Sequence, residues 1–147
     1  MRYYYSYEEF REDLKTLCEM IEREWEFDAI LAIARGGMTM GHMMGEYFNT
    51  RYVFTINAIS YENDRKLNEV KIFNIPDLKD FKRVLVVDDI VDSGDSMRDV
   101  LNLLKNRFSL EFKTAVIFHK EKSSFYADFW VKRPKGWVDF FWSVDLR

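Results

Sequence analysis

Val84-Leu85-Val86-Val87-Asp88-Asp89-Ile90-Val91-Asp92-Ser93-Gly94-Asp95-Ser96 runs from four apolar residues into two adjacent carboxylates, then into a turn carrying a glycine and hydroxyls. The apolar run suits a strand buried on both faces, as in a parallel sheet. After the turn, Met97, Leu101 and Leu104 recur at helical spacing, which predicts a helix over about 95–105. Free backbone amides at that helix start, with the hydroxyls of Ser93 and Ser96, make a cradle for a phosphate. Asp88 and Asp89 would repel a bare phosphate. They suit a ligand that also brings a ribose, or a Mg²⁺ to bridge. Asp and Ser are also the preferred capping residues, so an acidic strand-to-helix turn without a ligand is the competing explanation.

Working upstream, Ala29-Ile-Leu-Ala-Ile-Ala34 is a second buried-strand pattern, ending in Arg35-Gly36-Gly37. A helix is expected from Met38 to about Phe48, and Tyr52 to Ile59 reads as another strand. Ser60 to Glu69 is polar and without periodicity, which fits a mobile loop or a hairpin whose return strand is Val70 to Phe73. Downstream, Phe112 to Phe118 and Ala127 to Val131 are expected strands. The chain is expected to open on a helix: Ser6 and Glu9 have capping-box spacing, and Phe10, Leu14, Leu17, Ile21 and Trp25 share one face. Strands alternating with helices define an α/β domain with a central, mainly parallel sheet flanked by helices. In such sheets ligands sit at the carboxyl ends of the strands, where both glycine-containing loops leave.

Residues 84–96 resemble the phosphoribosyl-pyrophosphate (PRPP) signature of type I phosphoribosyltransferases, including both acids. Two positions depart from it: Ser96 stands where threonine is usual, and Asp95 where many members have a second glycine. The side chain of Asp95 is therefore expected to point away from the phosphate while its amide serves. Ala34-Arg35-Gly36-Gly37 is similar to the family's pyrophosphate loop, with glycines that permit backbone approach to a dianion and an arginine that can bind it bidentately. The resemblance implies a cis peptide entering Arg35. Without its partner loop, Arg-Gly-Gly would be read as a plain turn.

Further likeness points to the xanthine/guanine (hypoxanthine) members. Ser60-Tyr61 matches the pair that opens a catalytic lid. Lys120 follows the strand Thr114 to Phe118, where 6-oxopurine enzymes place a lysine that donates to the exocyclic oxygen; a plain surface lysine beside Lys122 is the other explanation. Trp137-Val138-Asp139 resembles the aromatic-aliphatic-acid segment that stacks on and reads a purine. Trp130 and Trp142 are competing stackers, or core.

The resemblance thus implies a single domain over 1–147, with a core of about 27–120 and a base-binding hood from about 1–10 and 121–147. It implies transfer of 5-phosphoribosyl from PRPP to N9 of guanine, xanthine or hypoxanthine in purine salvage, with pyrophosphate as product. Asp92 would act as general base. Arg35, Gly36, Gly37, Asp88, Asp89, Asp92, Ser93, Gly94, Asp95 and Ser96 would hold PRPP. Asp88 and Asp89 would contact Mg²⁺, and Lys120, Trp137 and Val138 the base. A homodimer or homotetramer is expected. A pyrimidine phosphoribosyltransferase, or a weakly catalytic regulator that binds PRPP or a nucleotide, remains open.

Composition narrows the class further. At 147 residues, with 48% hydrophobic and 32% charged, the chain can bury a core without staples. A net charge of −3 argues against a nucleic-acid partner. No apolar run suggests a signal peptide or membrane span, so the expected location is the cytoplasm. The single cysteine, Cys18, is expected in the core. His42 and His119 lack metal-ligand spacing; His42 is expected on a helix surface and His119 in a structural role beside Lys120.

Overall fold

Alternate side chains of the expected strands divide between two cores, which is what burial of both sheet faces requires. The computed structural model describes residues 1–147. Its main sheet has six strands in the order β4 (Asn68–Phe73), β3 (Val53–Glu62), β2 (Ala29–Ala34), β5 (Arg83–Val91), β6 (Glu111–His119) and β7 (Phe129–Lys132). All neighbours pair in parallel except β3 with β4, which close an antiparallel hairpin at one edge. Ile30, Ala32, Leu85, Val87, Ala115 and Ile117 enter one core with residues of α1 (Tyr7–Glu24) and α2 (Met38–Tyr47). Ala29, Leu31, Ile33, Val84, Val86 and Val116 enter the other, beneath α3 (Asp95–Arg107). The sheet is therefore sandwiched between helices on both faces, and the α/β class expected from sequence holds.

Several local expectations change. The chain opens on a strand rather than a helix: β1 (Arg2–Tyr5) pairs in parallel with β8 (Trp137–Phe140), tying the two ends of the chain into a separate two-stranded sheet. Tyr5 is fully buried there, edge-on to Phe118 at 4.8 Å and to Phe140 at 5.8 Å, so aromatic packing fixes this small sheet to the main core. Residues 129–132 belong to the main sheet, which places them outside a hood drawn over 121–147. A short helix, α4 (Phe141–Val144), follows β8.

Ser6 caps α1 through a 3.1 Å bond from the Glu9 amide. The reciprocal bond of a full capping box is absent, because the Glu9 carboxylate takes the Tyr3 hydroxyl instead. Residues 60–73 adopt the hairpin: β3 runs on to Glu62, and Asn63 holds the turn by accepting from the amides of Arg65 and Leu67.

Burial pushes the Cys18 thiol up to about 12, as befits a core residue. His42 is exposed on α2. Met40 and Met44 are core, whereas Met38 is exposed. No helix is long and apolar enough to cross a membrane.

Candidate active site

The carboxyl ends of β2, β5 and β6 deliver Arg35, Asp88–Asp92 and Lys120 to one edge of the sheet. Two cavities open along that edge. The first, about 560 Å³, is lined by Arg35, Gly36, Asp88, Asp89 and Ser96, with Trp142, Ser143 and Arg147 from beyond β8. The second, about 720 Å³, is lined by Ile90, Asp92, Lys120, Trp137, Val138 and Asp139, among others. Ser143 lines both, so the cavities adjoin.

In the first cavity the two loops touch. The Asp89 carboxylate lies so close to Gly36 that a Cβ there would meet it at 2.5–2.7 Å. The Ala34–Arg35 peptide is cis, as the resemblance implied. Gly37 differs from expectation. Its amide donates to Ile33 O at 2.8 Å, and its Cα packs against the backbone of β2 and β5, so its glycine serves close packing.

Desolvation raises the pKa of Asp88 well above the carboxylate range and that of Asp89 to about 6. The neighbouring Asp89 charge pushes Asp88 further up. Two desolvated carboxylates side by side fit a hard cation. No group of three or more His, Cys, Asp or Glu side chains surrounds them, so the remaining ligands of a Mg²⁺ would come from water and a bound diphosphate, the usual arrangement for that ion.

A proton held at a raised pKa has a definite consequence. Between about pH 4 and 6 the folded chain binds protons that the unfolded chain has released, so stability falls as pH rises through that window. Asp89→Asn removes Asp89's share of the effect and the charge that pushes Asp88 further up, while the desolvation of Asp88 remains. Its melting temperature in ligand-free buffer should exceed the parent's at pH 7.5, reflecting a stability gain on the order of 3 kcal/mol, and converge with it near pH 4. A variant less stable than the parent at pH 7.5 would show that Asp89 is not strained by desolvation.

The turn after β5 is built differently from a bare cradle. Ser93, Gly94 and Asp95 line neither cavity. Gly94, at φ 93°, turns the chain into α3, and the Asp95 amide donates to Ser93 Oγ at 3.2 Å. The Asp95 carboxylate points to Arg98 and Ser124, consistent with the expected outward orientation. Ser96 does line the first cavity, its hydroxyl 2.9 Å from that of Ser60. Tyr61 lies beyond, donating to Glu69 across the hairpin at 2.7 Å.

In the second cavity Lys120 Nζ sits 2.6 Å from Asp92 Oδ1. Both side chains are substantially exposed, so this pair contributes at most about 1 kcal/mol and a ligand can displace it cheaply. Trp137 is 63% exposed, whereas its neighbour Val138 is buried. Arg2 holds Asp139 with two bonds of 2.9 and 2.6 Å, and its guanidinium lies 5.8 Å from the Trp137 ring centre. Arg2 carried no signal in sequence, because its partner is 137 residues away.

His119, fully buried, has both ring nitrogens engaged. Nδ1 is 2.8 Å from the Lys120 carbonyl, and Nε2 accepts from the Ala127 amide at 3.0 Å. Its role is structural, as expected, and it anchors the backbone of Lys120. Trp130 packs against His119 beneath Arg133, and Trp142 stacks on Phe140 while lining the first cavity.

This geometry has known counterparts. The phosphoribosyl transferase domain model matches residues 4–147. The chain belongs to that family. Among solved structures, the Helicobacter pylori xanthine-guanine-hypoxanthine phosphoribosyltransferase is 40% identical with a TM-score of 0.93, over 99% of this chain and 96% of that one. A purine phosphoribosyltransferase from Pyrococcus horikoshii is 28% identical with a TM-score of 0.84, over 96% and 93%. The xanthine-guanine phosphoribosyltransferase of Vibrio parahaemolyticus is 33% identical over 89 residues, an alignment spanning 58% of this chain and 56% of that protein's length.

Proposed function

We propose that this chain transfers the 5-phosphoribosyl group of PRPP to N9 of a 6-oxopurine, releasing pyrophosphate. The observation that carries this reading is the pair of adjoining cavities, one acidic and glycine-lined beside Arg35, the other holding Lys120, Asp92 and an exposed Trp137. The names of the Helicobacter and Vibrio relatives point the same way.

In the first cavity Arg35 and the Gly36 backbone would bind the pyrophosphate of the donor. Asp88 and Asp89 would bind the ribose hydroxyls and hold Mg²⁺, which when bound neutralises charge developing on the leaving group. Ser93, Gly94, Asp95 and Ser96, at the start of α3, would hold the 5′-phosphate, with Ser60 bonded to Ser96 and Ser60-Tyr61 on a hairpin able to cover the site.

In the second cavity Trp137 would stack on the purine over Val138, within a hood made by β1 and the segment after β7. Lys120 would donate to the 6-oxo group, for which an ammonium discriminates against the amino group of adenine. As Lys120 turns to the purine it leaves Asp92, whose freed carboxylate can take the ring proton at N9 as the bond to ribose forms. The neutral purine thereby becomes a competent nucleophile without a hydroxide.

Incubating the chain with PRPP, Mg²⁺ and radiolabelled guanine, xanthine, hypoxanthine, adenine, orotate or uracil tests this directly. Conversion of the 6-oxopurines is expected. Conversion of the pyrimidines alone, or of no base, would overturn the reading. Lys120→Ala should raise KM for the preferred purine by about 10- to 100-fold, the value of one charged hydrogen bond, with little change in PRPP binding. An equal loss of PRPP binding would move Lys120 to the donor half of the site. The same enzyme as a homodimer or homotetramer in the cytoplasm, in purine salvage, completes the proposal; light scattering on the purified chain tests the first part.

A further inference from the structure

We propose that Arg98 and Ser124 form a clamp that makes the carboxylate of Asp95 compatible with a phosphate in the adjoining turn, so that Arg98 is a positioning residue for the donor's 5′-phosphate. This inference rests on the phosphate reading of residues 93–96 given above.

Asp95 is the first residue of α3, where exposed amides and the helix dipole favour an anionic ligand. A carboxylate free to turn toward that ligand would oppose it. Two contacts on Asp95 Oδ1, braced by three more around them, prevent the turn. Arg98 Nη1 lies 3.1 Å from Asp95 Oδ1, one helical turn on, and donates to Ser124 Oγ at 3.0 Å. Ser124 Oγ lies 3.2 Å from the same carboxylate oxygen and 3.0 Å from Ser93 O. Arg98 Nε is itself fixed at 3.2 Å from Asp99 Oδ1.

The clamp also shapes the turn. The Ser124 amide donates to Ser93 O at 2.7 Å, and a Cβ on Gly94 would stand 2.7 Å from the Phe125 amide nitrogen. The segment after β6 is thus laid directly along the back of residues 93–94. Ser124 is the joint: it accepts from Arg98, offers its single proton to Asp95 or Ser93, and ties the turn's carbonyl by its backbone.

Stability is a poor explanation for this arrangement. The side chains of Arg98 and Asp95 are 41% and 28% exposed, and ion pairs so placed contribute little to folding. What the pair controls is where a negative charge points, and close to a dianion that distinction is large. The clamp therefore belongs to binding.

The test separates the phosphate from the rest of the donor. Binding of ribose 5-phosphate is measured by titration calorimetry, alongside KM for PRPP and for the purine. R98M should weaken ribose 5-phosphate by about tenfold and raise KM for PRPP comparably, with kcat and purine KM changed less than about twofold. Adding D95N to R98M should restore ribose 5-phosphate binding to within about threefold of the parent, because the charge that needed holding is gone.

Parent-like binding by R98M, or failure of D95N to rescue it, would overturn the clamp. Should R98M melt below the assay temperature, R98Q carries the same two readouts. A parent chain that does not bind ribose 5-phosphate would take down the phosphate reading and this inference together. One that binds it but converts no purine would sink only the acceptor reading, and the R98M and D95N comparison would still decide the clamp.

Discussion

Asp92→Asn should lower kcat by about 10²- to 10⁴-fold, the range for losing a general base, while PRPP affinity changes less than about threefold. Asp92 leaves the end of β5 on the side of the second cavity, with Lys120, Trp137 and Val138, and does not line the cavity of Arg35 and Asp89. Asparagine keeps the shape and can still accept a hydrogen bond from Lys120, but it cannot take a proton. The variant therefore separates two roles that the 2.6 Å contact with Lys120 leaves mixed. A fall in kcat at saturating purine, with donor binding intact, is the result expected of a base. A raised purine KM with unchanged kcat would make Asp92 only the resting partner of Lys120.

That contact also shows what was legible in the sequence and what was not. Asp92 and Lys120 were each picked out by resemblance to the family's motifs, which are local patterns of a buried strand followed by a turn. That β5 and β6 are neighbours, with Val91 beside His119, brings the two together, and no single strand encodes its neighbour. The two buried faces of the sheet were readable for the same local reason: runs such as Ala29–Ala34 contain no polar residue to face water.

The chain ends were misread because their pairing is long-range. Arg2–Tyr5 has alternating exposure as a strand, but four residues beside a strong helix start give little signal alone. Its partner β8 lies more than 130 residues away, and only the register of Arg2 with Trp137 reveals that Arg2 supports the proposed purine-stacking ring. Ser143 and Arg147 were missed similarly: nothing in Phe141 to Arg147 marks a segment that folds back over Asp88 and Asp89. Asp95 was legible as a departure from a pattern, whereas its remedy in Ser124 was not, since 29 residues separate them.

Gly37→Ala should destabilise the fold by at least about 3 kcal/mol, lowering the melting temperature by roughly 6–12 °C for a chain of this size. The reason is space. Gly37 has φ −86°, open to any residue, but a Cβ would lie 2.5 Å from Val87 O, 2.9 Å from Ile33 O and 3.1 Å from Asp88 Cα. All three atoms are backbone, in the two strands that carry Arg35 and Asp88. No rotamer change relieves them; the start of α2 must move away from the sheet, taking the Arg35 loop with it. A shift of about 1 Å there is enough to cost on the order of 10²-fold in turnover, so activity should fall further than stability alone explains. Gly45→Ala is the comparison, since its closest approach is 2.7 Å to a side-chain methyl, Val53 Cγ2, its one backbone contact is Thr50 O at 3.3 Å, and alanine favours the helix. Thermal melts of the two variants side by side decide the point: comparable losses would mean that Gly37 is not where the two loops are locked together.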